Sequence, residues 1–160
     1  RQEANKKFKR LVVGKRVRLR GGYVIEAERC DVDVHGEVTK VYATVVPQTL
    51  GEDPDDGVKA KGVIHWVDQS NAVEAEIRSY DRLFAVSDPS SAKDFDQVIN
   101  QNSLTTSTAF LEASLAHAVS EARYQFEREG YFIADRYDHS SEQPVFNKVI
   151  GLRDTWVTND

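Results

Sequence analysis

The sequence has no methionine and only one cysteine, Cys30, in 160 residues. A lone thiol excludes an internal disulfide and any multi-cysteine zinc site, and it fits a reducing cytosol. No apolar run approaches the ~20 residues of a membrane-spanning helix, and no stretch has the layout of a signal peptide. A glycine loop of the kind that cradles phosphate at the start of a helix is also missing; Gly21-Gly22 is a turn signal. None of the four histidines (His35, His65, His117, His139) stands at the i, i+4 spacing of a helical metal pair. Asp138-His139-Ser140 has the residue types of a hydrolytic triad, but sequence neighbours cannot adopt that geometry, so it reads as a solvated loop between strands. No catalytic residue and no metal site is expected. The missing initiator and the polar start at Arg1 read as a piece of a longer polypeptide, whose function belongs to the parent.

What is present is a foldable chain with a lopsided charge. Apolar residues make up 40% and charged residues 29%, enough for a core and too apolar for a disordered tail. The formal net charge is −5, yet residues 1–20 hold nine Lys/Arg against Glu3 alone, while the remainder holds 12 bases and 25 acids. A polyanion responds to the local patch, because screening at physiological salt acts over about 8 Å. The basic segment is therefore the first functional clue.

The pattern along the chain is one of short strands. Residues 11–20, 23–34, 37–46, 61–67, 73–84, 104–110, 123–127, 131–136 and 145–150 read as strands, with His35-Gly36 as a hairpin turn. Period-two alternation puts Arg16, Arg18 and Arg20 on one face of the first strand and Val17 and Leu19 on the other. Residues 50–57 form an acidic loop, 87–91 a linker, and 92–99 and 114–120 short helical turns. The expectation is an all-β fold, closed or nearly so, with Trp66, Phe126 and Phe132 buried, His65 packed or half-buried, and Cys30 half-buried in a strand.

Two constellations suit RNA. Lys6-Lys7-Phe8-Lys9-Arg10 and Lys15-Arg16-Val17-Arg18-Leu19-Arg20 mix cations with an aromatic, as single-stranded nucleic acid requires. In the block from Tyr124 to Phe132, Gln125 offers one donor and one acceptor to the edge of uracil. Its amide can flip, so alone it does not exclude cytosine; Arg128, which only donates, tips the choice toward the two uracil carbonyls. Alternation puts Gln125 and Arg128 on opposite faces, so a common target requires a strand end or bulge near 127–130. The alternative reading is that both are simply exposed strand residues.

The chain resembles the C-terminal anticodon-binding region of glutaminyl-tRNA synthetases. Seven blocks carry the resemblance: Glu3-Ala4-Asn5-Lys6, Lys9-Arg10-Leu11-Val12, Val17-Arg18-Leu19-Arg20, Lys61-Gly62-Val63-Ile64-His65-Trp66-Val67, Tyr80-Asp81-Arg82-Leu83-Phe84, Gln125-Phe126-Glu127-Arg128-Glu129-Gly130-Tyr131-Phe132, and Gly151-Leu152-Arg153-Asp154-Thr155-Trp156. It implies two small β-barrels with exchanged strands: a distal one over 1–92, including the basic leading segment, and the remainder of an incomplete proximal one over 93–160. It implies that Arg18 reads the first anticodon base with Arg20 nearby, that Gln125, Glu127 and Arg128 frame a central uracil, and that Lys9 and Arg10 serve the third base. Lys6, Lys7 and Lys15 would contact phosphates, Lys7 standing where the family leads one to expect glutamine.

The resemblance further implies tRNA(Gln) as partner, with no DNA and no membrane. It implies a cytoplasmic monomer packed on the catalytic body of the same polypeptide, no cofactor here, and ATP and Mg2+ for the parent ligase, whose catalytic site this segment lacks. Three other readings stand beside it: the anticodon module of a glutamyl-tRNA synthetase, a ribosomal 5S-rRNA-binding protein of the same fold, and a protein-interaction domain using the acidic body.

Overall fold

The computed structural model describes residues 11–152. Nine strands and three single 3-10 turns make up its regular structure, with no α-helix among the described residues. The chain divides into two compact units, Arg1–Trp66 and Val67–Asp160.

The first unit is a four-stranded sheet in the order β3-β2-β1-β4, built from β1 Arg16–Leu19, β2 Val24–Val32, β3 Val38–Val45 and β4 Val63–Ile64. β1 runs antiparallel to β2, with Val17 opposite Ile25, and parallel to β4, with Leu19 beside Ile64. Gly14, at φ +73°, donates to the Ala27 carbonyl and ends the chain's extended run before β1, so the first strand is shorter than alternation suggested. The β2–β3 hairpin closes on Gly36, at φ +80°, while the Asp33 carboxylate accepts from the His35 and Glu37 amides. Val17, Val24 and Ala27 form a small buried core, and Thr49 is fully buried beside them. Its hydroxyl accepts from the Val24 amide and donates to the Val46 carbonyl, which satisfies a polar group where water cannot reach.

The second unit is a five-stranded sheet in the order β6-β5-β9-β8-β7. Its strands are β5 Val73–Tyr80, β6 Leu104–Leu111, β7 Arg123–Phe126, β8 Gly130–Ala134 and β9 Val145–Ile150. β5 and β9 are parallel, and the other pairs are antiparallel. Ala75, Ile77, Leu111, Phe132, Ala134 and Phe146 form the core. Phe126 stacks on Phe132 at 4.3 Å between ring centroids, and Phe146 meets the rings of Tyr124, Phe126 and His139 edge-on.

The all-β expectation stands, with the helical turns reduced to Asp96–Val98 and Ala113–His117. Neither sheet returns to its first strand, and each draws on a contiguous stretch of chain, so no strand is exchanged among the described residues. The linker candidate 87–91 lies within the second unit, between the paired strands β5 and β6. Phe132 is buried, whereas Phe126 is half-buried. Trp66 and His65 differ from expectation: both are exposed, because β4 ends at Ile64 and sheet alternation no longer governs them.

Beyond β8, Asp135 braces the loop leading to β9. One carboxylate oxygen accepts from the Tyr137 and Asp138 amides, each at 2.9 Å, and the other from the Asn147 side chain at 2.7 Å. Arg78 lies 3.6 Å away and pairs with Glu76 and Asp138 at 2.6 Å. The Asp138 amide, then Asn147 and the Tyr137 amide, hold the Asp135 carboxyl down at about 2. A depressed carboxylate stabilises the fold above its unfolded value, near 3.9, and that contribution disappears as pH falls toward 2. Asp135→Asn should therefore flatten the acid limb of a melting-temperature profile between about pH 4 and 2. A limb as steep as the parent's would show that other carboxylates set it.

Candidate nucleic-acid interface

The basic strand does not present its arginines as an open stripe. Arg16 pairs with Glu26 at 2.7 Å and with Asp56 at 2.7 Å, and it donates to the Val58 carbonyl. Arg18 donates to the carbonyls of Thr49 and Glu52, each at 2.5 Å, with Asp53 at 3.6 Å. The acidic loop 50–57 thus folds back along β1. The Glu26 carboxylate on β2, and after it Asp56 of the loop, raise the Arg16 pKa above the ordinary guanidinium value. The Val58 amide, then Arg16, lowers that of Asp56. Lys15 and Arg20, at the two ends of the strand, have exposed side chains. Lys6, Lys7, Lys9 and Arg10 lie outside the described residues.

The second constellation surrounds the β7–β8 turn. On β7, Tyr124 and Phe126 turn toward the core, while Arg123 and Gln125 are exposed. Gln125 sits across from Tyr131, itself 47% exposed. β7 ends at Phe126, whose carbonyl accepts from the Glu129 amide at 3.0 Å, so 126–129 form a tight turn. Arg128 occupies its third position at φ +67°, where glycine or asparagine is usual. Holding an arginine there costs about 1–2 kcal/mol, and such strain concentrates where side-chain direction serves a purpose. The turn supplies the departure from alternation that a shared target for Gln125 and Arg128 requires. Glu127 is half-buried beside it.

Gly130 makes the turn possible. Its φ is +144°, and a Cβ there would lie 2.3 Å from the Ile150 carbonyl oxygen. Only glycine lets β8 begin so close to the end of β9.

Other candidates resolve into structural roles. His139 lies in the β8–β9 loop, as read from the sequence, but is half-buried: Nε2 donates to the Ala118 carbonyl and Nδ1 accepts from the Val145 amide. Cys30 is half-buried in β2. No group of three or more metal-ligating side chains occurs among the described residues. Sequence reasoning missed the loop 49–58 as the counter-charge of β1. Its run of Glu52, Asp53, Asp55 and Asp56 was the available signal.

Residues 63–135 match the family described as tRNA synthetases class I (E and Q), anti-codon binding domain. Over those residues the chain is similar to an anticodon-binding domain, and over nearly its whole length to glutamine–tRNA ligases. It is 57% identical over 157 residues to the glutamine–tRNA ligase of Vibrio parahaemolyticus, and 56% identical to those of Pectobacterium atrosepticum and Serratia proteamaculans. Each alignment covers 98% of the chain and 28% of the relative. The similarity to the ligases therefore spans both units, and the chain spans little more than a quarter of those ligases' length.

Within this domain, Gly130→Ala should destabilise the fold by at least about 2 kcal/mol, because the clash is with backbone and the φ is unfavourable for any side chain. Urea unfolding measures it. A midpoint equal to the parent's would mean that β8 and β9 separate at no cost.

Proposed function

We propose that this chain recognises the anticodon loop of tRNA(Gln), so that the remainder of its polypeptide attaches glutamine to that tRNA with ATP and Mg2+. The supporting observation is the 55–57% identity to glutamine–tRNA ligases across 98–99% of the chain. In this reading Arg18 addresses the first anticodon base, with Arg20 nearby. Gln125, Glu127 and Arg128 frame the central uracil, and Lys9 and Arg10 serve the third base. Lys6, Lys7 and Lys15 neutralise phosphates. ATP and Mg2+ act on the catalytic body, on which this segment packs in a cytoplasmic monomer. The distal barrel is assigned to residues 1–92 and the remainder of the proximal one to residues 93–160. A glutamyl-tRNA synthetase module is the alternative, since the matched family covers both amino acids.

Arg128 alone among the residues assigned to the central base is a pure donor, and it stands on a strained turn beside Gln125. Losing a good base contact costs ~1–3 kcal/mol, about ten-fold or more in affinity. In the intact polypeptide that carries this chain, Arg128→Ala should weaken binding of tRNA(Gln) and narrow the preference for uracil over cytosine at the central position. Gln125→Ala should weaken both more evenly. An unchanged uracil preference in Arg128→Ala would remove Arg128 from base reading.

Replacing Lys6, Lys7 and Lys15 together by alanine should reduce the slope of log K against log salt by roughly 2, at ~0.7 per single-strand phosphate contact, and leave base preference intact. An unaltered slope would make these lysines solvated bystanders.

A further inference from the structure

Trp66 is 44% exposed, an expensive placement for the largest apolar ring. It is held firmly nonetheless. Its indole N–H donates to the Arg20 carbonyl at 3.0 Å, and the Arg20 amide donates to the Ile64 carbonyl at 2.9 Å. The ring edge rests on the turn at Gly22, where a Cβ would lie 3.6 Å from Cζ2. The polar atom of the indole is therefore satisfied within the protein, and what remains open to solvent is ring surface. Beside it stands an exposed cation: Arg20, whose carbonyl holds the indole, follows β1 and has an exposed side chain. The His65 imidazole, next in sequence, is exposed as well.

We propose that Trp66 is a stacking platform for one unpaired base of the bound RNA loop. This rests on the reading of the chain as an anticodon-binding module. A fixed aromatic face beside a cation is the arrangement that holds single-stranded nucleic acid: the ring takes a base, and Arg20 takes a neighbouring phosphate. Stacking tolerates any base, so Trp66 contributes affinity and loop geometry, while base identity is read elsewhere. The adjacent Arg20 favours RNA over an apolar protein partner, which would leave that charge desolvated.

The test uses the intact polypeptide and anticodon stem–loop hairpins in which 2-aminopurine replaces one loop base at a time. The parent should bind, and the fluorescence of one substituted position should fall on binding as that base stacks on the indole. Trp66→Leu should abolish that quenching and weaken affinity roughly ten-fold at an unchanged salt slope. Trp66→Phe, which keeps a ring and loses the N–H, should retain most of the affinity. If Trp66→Phe falls as far as Trp66→Leu, the N–H brace to Arg20 is what matters and the platform is refuted. Parent-like binding and quenching in Trp66→Leu also refutes it, and leaves the exposed ring to a protein contact. Failure of the parent itself to bind any hairpin overturns the anticodon reading, and this inference with it.

Discussion

The first unit depends on the way two arginines of β1 hold the loop that follows β3. Arg16 and Arg18 are separated by one residue, so they share a face, and between them they engage Glu26, Asp56, and the carbonyls of Thr49, Glu52 and Val58. Val17, between them, points the other way into the core. One short strand thus anchors the apolar core with one side chain and the loop 49–58 with two. Thr49 joins these roles. Its hydroxyl ties β2 to the end of β3, and its carbonyl receives Arg18. A guanidinium suits this task because its donors are fixed in a planar fork that reaches several acceptors at once.

The second unit solves a different problem, the presentation of polar side chains from a strand end without loosening the sheet. Tyr124 and Phe126 fasten β7 to the aromatic core, and the backbone then reverses within the 126–129 turn. Strain at Arg128 and the close approach at Gly130 sit beside one another, outside the stacked Phe126–Phe132 pair. That packing over-determines the turn, so a left-handed arginine persists where an isolated peptide would relax it.

Much of this was legible in the sequence. The short alternating runs, the His35-Gly36 hairpin and the outward position of Gln125 follow from period and turn chemistry. Three features were not. Residues 11–15 read as the start of the first strand, but Gly14 adopts positive φ and breaks it. Trp66 reads as core by composition, yet the strand that would bury it stops two residues earlier. The basic stripe reads as open, because a one-dimensional charge count does not know that residues 52–56 return to residues 16–18.

That last point changes where the attractive field originates. Residues 11–20 carry four cations, Lys15, Arg16, Arg18 and Arg20, and the loop 50–57 carries four acids. With Asp56 on Arg16 and Asp53 near Arg18, the two arginines are largely offset within a few ångströms, well inside the screening length. Long-range attraction for a polyanion then rests less on these two arginines and more on the four excess charges of residues 1–10. The arginines are left with a short-range role. An incoming base or phosphate must compete with the carbonyls and carboxylates that already hold them, so only a ligand of the right shape replaces those bonds without loss. Under the proposed anticodon reading, separating the charge that attracts from the charge that discriminates lets affinity and specificity be set by different residues.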